Sequence, residues 1–104
     1  MVLRPYAGGI GVEDEHMPTT TLKAGAPAYF DCFAGLVPCR VLSIKGESGR
    51  ASSEQEVAFE ITASLGPYKR GEILSSDALS VVPRDSVKRR KHGVVIIPYS
   101  VACS

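Results

Sequence analysis

Residues Val57 to Ala63 alternate more cleanly than any other stretch of the chain. Val57, Phe59, Ile61 and Ala63 fall on one side, and Ala58, Glu60 and Thr62 on the other. Side chains change face at every residue of a strand, so this is the pattern of a strand with one face in a core. Ala28 to Phe33 is strand-like in composition, with Ala28, Phe30 and Cys32 on one face and Tyr29, Asp31 and Phe33 on the other. After a turn at Ala34-Gly35, Val37 to Ile44 forms the next run, and Pro38 marks a strand start or edge because it has no amide hydrogen. Glu72-Ile73-Leu74 begins a short strand that Ser75-Ser76-Asp77 is expected to interrupt. Ala78 to Val82 is apolar apart from Ser80, and Val94 to Val101 is the most apolar run, with Pro98 a second edge marker.

Polar segments punctuate these runs. Residues 45–56 are nearly all small or charged and are expected to form a solvated hairpin loop. Gly66-Pro67 and Tyr68-Lys69-Arg70-Gly71 read as turns. Pro83 to Lys91 has room for one helical turn or slightly more. Pro83 suits a first helical position, Asp85 the positive end of the helix and Lys88 to Lys91 the negative end, with Gly93 as a stop. No amphipathic helix of ten residues is present. The expected fold is all-β: a small antiparallel barrel of five or six strands, closed or nearly closed, with one short helical turn before the last strand.

Residues 1–25 show no sustained period and are expected to be a flexible N-terminal arm, leaving 26–104 as a single domain. Val2, Leu3 and Tyr6 have no obvious place in a five-stranded core and would suit docking on the domain or on a second copy. The length of 104 residues allows one domain. No window approaches 18 consecutive apolar residues, and no secretory leader is visible, so the expected location is cytoplasmic, with no membrane partner.

Charge changes this picture only when followed along the chain. Residues 1–64 carry five basic and eight acidic groups, whereas residues 65–104 carry seven basic and three acidic ones. The formal net charge is +1, so no global field favours polyanions, and a nucleic-acid argument rests on the second half. There Lys88-Arg89-Arg90-Lys91 is the strongest local signal. Arg84 lies four residues earlier, and Lys69-Arg70 is expected nearby. Such a cluster neutralises phosphates and releases counterions, or it keeps a barrel edge solvated.

Two phrases carry a resemblance. Tyr68-Lys69-Arg70-Gly71-Glu72-Ile73-Leu74 and Val81-Val82-Pro83-Arg84-Asp85-Ser86-Val87 resemble the aromatic-basic turn and the short helical turn of Src-homology-3-like barrels. With only about seven residues between them, the order is similar to the Tudor and agenet branch of that fold. The make-up of the chain also resembles that of orphan proteins of phages and integron gene cassettes. The Tudor resemblance implies an aromatic cage for methylated side chains, for which Tyr29, Phe33, Phe59, Tyr68 and Tyr99 are the candidates. Packing is the competing role for those rings.

Catalytic chemistry finds little support. Cys32, Cys39 and Cys103 read as structural thiols in a reducing compartment, although Cys32 and Cys39 are spaced to face each other across a hairpin. No signature surrounds a pairing of Cys32 or Cys39 with His16 or His92, and Ser86 beside Asp85 suits turn chemistry. Two histidines give no zinc-ligand spacing, Glu13-Asp14-Glu15 reads as solvated, and Gly8-Gly9-Ile10-Gly11 lacks the flanking strand and helix of a phosphate loop. The expectation is a non-enzymatic binding module without a cofactor. It would engage a protein partner, including a second copy as a homodimer; the alternative is a nucleic-acid adaptor. The candidate binding residues are Arg84, Lys88, Arg89, Arg90 and Lys91, with Tyr68, Lys69 and Arg70.

Overall fold

The computed structural model describes residues 20–104. Strand accounts for 55% of them, and the one helical element is a single 3-10 turn. In chain order the strands are β1 (Thr21–Leu22), β2 (Pro27–Cys32), β3 (Gly35–Lys45), β4 (Gly49–Arg50), β5 (Glu56–Ile61), β6 (Ile73–Asp77) and β7 (Val81–Pro83). The 3-10 turn Arg84–Ser86 follows, and then β8 (Val87–Arg90), β9 (Gly93–Ile96) and β10 (Ser100–Val101).

The largest sheet is antiparallel, in the order β6-β5-β3-β2-β7. Its centre is β3, which pairs Phe30 with Val37 on one side and Val41 with Phe59 on the other. The alternation read at Val57, Phe59 and Ile61 is met, because all three are buried while Ala58 and Glu60 are half-exposed. Ala63, placed on the same face in the sequence, lies past the end of β5 and is exposed. In β3 the buried parity starts odd, at Val37, Cys39 and Val41, and then switches to Ile44. The cause is a bulge between Val41 and Ser43. The extra residue, Leu42, is turned outward, and Ile44 is returned to the core opposite Val57.

A smaller sheet, ordered β1-β10-β4, covers this core. Ser100 pairs with Thr21 in parallel and with Arg50 antiparallel. Leu22 and Val101 are both fully enclosed and belong to the same apolar cluster as Phe59 and Ile44. The domain therefore begins earlier than residue 26: Leu22, in the stretch expected to be arm, is core. Residues 1–19, with the docking positions Val2, Leu3 and Tyr6, lie outside the described residues.

Other expectations change as well. Among the described residues the strands do not close into a barrel, because β6 and β7 are the two edges of the main sheet, and the β1–β10 pair makes the fold mixed rather than purely antiparallel. Ser75-Ser76-Asp77 continues β6 instead of interrupting it, since Ser75 and Ser76 pair with Ala58 and Val57. The 45–56 segment is not merely solvated. Gln55 is buried within it, donates from Nε2 to the carbonyls of Glu47 (2.6 Å) and Arg50 (3.2 Å), and accepts from the Ser52 N–H at 2.8 Å. Three bonds satisfy one amide, and the loop is shaped around it.

Candidate nucleic-acid interface

The helical reading of Pro83 to Lys91 holds only for Arg84–Ser86. From Val87 onward the chain is extended, and β8 and β9 form a separate two-stranded hairpin. The sequence misleads here because basic residues suit a helix C-terminus as well as an exposed strand. Val94 to Val101 also divides. Gly93–Ile96 is the second arm of the hairpin, Ile97 to Tyr99 connects with Tyr99 buried in the core, and Ser100–Val101 pairs in the smaller sheet. A continuous Val-Val-Ile run suggests a buried strand, yet Val94, Val95 and Ile96 are 45%, 46% and 39% exposed.

The hairpin register is Val87 opposite Ile96, Lys88 opposite Val95, Arg89 opposite Val94 and Arg90 opposite Gly93. Opposed residues of an antiparallel pair share a face, and successive residues alternate. One face therefore carries Val87, Arg89, Val94 and Ile96; the other carries Lys88, Arg90 and Val95. Val87 packs against the core, so its face looks back to the body at the base of the hairpin, and the Lys88–Arg90 face looks away. Lys91 and His92 form the turn at the tip. The base is fixed where the Ile97 N–H donates to the Ser86 carbonyl at 2.8 Å, beside the fully buried Ser86 side chain.

Lys88, Arg89, Arg90 and Lys91 are all exposed. No Asp or Glu occurs from Ser86 to Ser104, so the hairpin has no carboxylate of its own. Among the described residues the ion pair is Arg40 with Glu60, at 3.2 Å in the main sheet, and none involves the hairpin. Arg84, exposed on the 3-10 turn, sits just before its base.

Lys69 and Arg70 are not brought to this cluster. Pro83, which leads into the hairpin, pairs with Ala28 at the start of β2. Tyr68 instead packs at the far end, with its ring 5.5 Å from Phe30 and 6.3 Å from Phe33. The same turn carries Gly66, where a Cβ would lie 3.0 Å from the Ala34 side chain just past the end of β2, whereas Pro83 pairs near its start. Side chains hold the Tyr68 turn: the Lys69 N–H donates to Glu72 Oε1 (3.1 Å) and the Arg70 N–H to Ser64 Oγ (3.0 Å). Phe33 is 86% exposed beside it, an exposure the alternation of β2 does not announce. Of the other cage candidates, Phe59 is buried, and Tyr99 is buried with its hydroxyl donated to the Ala78 carbonyl at 2.6 Å.

Among the described residues the thiols stand apart from one another. Cys39 is buried opposite Ala28 and Cys32 stands opposite Gly35, so the two do not face each other, and Cys103 is also a free thiol. Burial pushes the Cys39 thiol up to about 12, far from a thiolate at neutral pH. His92 lies at the hairpin tip, and His16, Glu13-Asp14-Glu15 and Gly8-Gly9-Ile10-Gly11 lie outside the described residues. Among the described residues no three His, Cys, Asp or Glu side chains converge as metal ligands, and no helix is long and apolar enough to cross a membrane. Compared with protein families, with curated proteins and with solved structures, the chain matches none.

Proposed function

We propose that the protein is a non-enzymatic binding module that engages nucleic acid through the β8–β9 hairpin. The observation that carries this reading is a separate two-stranded ribbon with four successive basic residues, all exposed, and, among the described residues, no ion pair to any of them. Phosphates would neutralise this charge and release their condensed counterions. Arg84 at the base extends the footprint; Tyr68, Lys69 and Arg70 are a separate surface. A filter-binding assay with DNA and RNA at low salt tests the reading. Retention of the wild type is expected, and its absence on both ends the proposal.

One observation favours a protein partner instead. Among the described residues the β6 edge of the main sheet has no strand beyond it, and Ile73 on that edge is 64% exposed. An open edge invites another strand, here that of a second copy. Light scattering over a range of concentrations tests this: a dimer that loses mass on Ile73→Lys supports it, and a single-chain mass throughout rejects it.

The strand order supports kinship with Src-homology-3-like domains as part of the proposal. Strands β2, β3, β5 and β6 run as a meander, and β7 returns to pair with the first of them. The 3-10 turn follows that return strand and leads into the hairpin.

A further inference from the structure

Resting on the phosphate-binding reading of the same hairpin, the geometry points to the major groove of B-form DNA as its seat, and so to double-stranded DNA as the ligand class. The inference comes from the distribution of charge over the ribbon. A patch meant to lie on one strand needs basic residues on one face. Here Lys88 and Arg90 occupy one face, Arg89 the other, and Lys91 the tip. Charge on both faces and at the tip suits an element with phosphates on either side of it, which is the surrounding a groove provides.

Dimensions select the groove. The four-residue arms are about 14 Å long, and the ribbon with its side chains is about 10 Å thick. The B-form major groove, about 12 Å wide, admits a two-stranded ribbon without deformation, whereas the minor groove, about 6 Å wide, has to be forced open to take one. The A-form major groove of double-stranded RNA is too narrow and deep for side chains to read.

The apolar residues fit the same seat. Val95 stands directly opposite Lys88 and diagonal to Arg90 on the face turned away from the body, and it is 46% exposed. In the major groove an apolar side chain meets thymine methyl groups, and flanking cations reach guanine O6 and N7 or the phosphates. Val94 and Ile96 add exposed apolar surface on the opposite face, which contact with phosphates alone does not use.

The experiment uses the full chain with three labelled probes of one sequence: duplex DNA, its single strand, and the matching RNA duplex. Their affinities are measured at a common salt concentration. Dimethyl sulfate protection on the DNA duplex then reports guanine N7 in the major groove and adenine N3 in the minor groove. Expected are affinity for duplex DNA roughly ten-fold or more above the other two, and protection at guanine N7. That protection should vanish in the variant with Lys88, Arg89, Arg90 and Lys91 all changed to Ser. Equal affinity for the three probes, or protection at adenine N3, overturns the groove assignment and leaves phosphate binding standing. Binding to none of them removes both.

Discussion

Arg89 lies directly opposite Val94 across the β8–β9 hairpin, on one face of a ribbon that, among the described residues, has no further strand on either side. A cation facing an exposed valine stabilises little, and a two-stranded hairpin is marginal in water without support. The hairpin is held at its base, by Val87 against the core and by the bond from Ile97 to Ser86. Its outer half contributes little to folding.

Replacing Arg89, Arg90 and Lys91 with Ser is therefore expected to leave the fold intact. Each exposed site should change stability by about 0.5 kcal/mol or less. A thermal melt checks this; loss of the cooperative transition would mean that the hairpin is part of the core structure.

Phe59 is expected to behave in the opposite way. It is fully buried, opposite Val41, with its ring 4.9 Å from that of Phe30. Phe59→Ala should cost about 3–5 kcal/mol, against roughly 5–15 kcal/mol for an entire domain. Urea unfolding measures it, and an unchanged midpoint would contradict the placement.

This position was readable in the chain because period-2 alternation maps directly onto one face of a strand. Leu42 and Ile44 were not separable in the same way, since a bulge resets the parity and leaves no mark in the residues themselves. The hairpin was half legible. Its basic residues stood out, but Lys88 to Lys91 satisfy a helix end and an exposed strand equally, and only pairing with Gly93–Ile96 decides. The closed barrel was an extrapolation from strand count, and strand count does not say whether two edges meet. The separation of Lys69-Arg70 from Arg84 depends on which end of β2 each contacts, a relation between distant segments that local pattern does not carry.

Gln55→Ala should loosen the 46–55 loop. It removes the partners of the Ser52 N–H and of the Glu47 and Arg50 carbonyls, at a cost of about 1–3 kcal/mol. Gly46→Ala should destabilise the same loop, because its φ is +121° and a Cβ there would lie 3.1 Å from the Gln55 Cα. Amide exchange across residues 46–55 reports both. Protection equal to the wild type in the two variants would show that the buried amide does not organise the loop.

Alkaline pH should weaken the fold through two groups that it holds neutral. Burial raises Cys39 from 9.0 to about 12. Burial first, and then the charges of Asp77 and Asp31, raises Tyr99 from 10.0 to about 12. A folded-state value above the unfolded one favours the protonated form, so this stability is fully present below pH 9.0 and is lost as pH rises toward about 12. The urea midpoint should fall progressively over that window. Cys39→Ala should flatten the part that begins near 9.0. A midpoint independent of pH across the window would contradict the burial of both groups.

The central claim, that the hairpin cations meet phosphates, is tested most directly by the salt dependence of binding to duplex DNA. The logarithm of affinity, plotted against the logarithm of salt concentration, falls with a slope of about 0.9 per phosphate neutralised. The variant with Arg89, Arg90 and Lys91 changed to Ser should bind more weakly, with a slope shallower by about 2–3. A variant that binds with the wild-type slope would show that these side chains do not touch the backbone, and the account of the hairpin would be wrong.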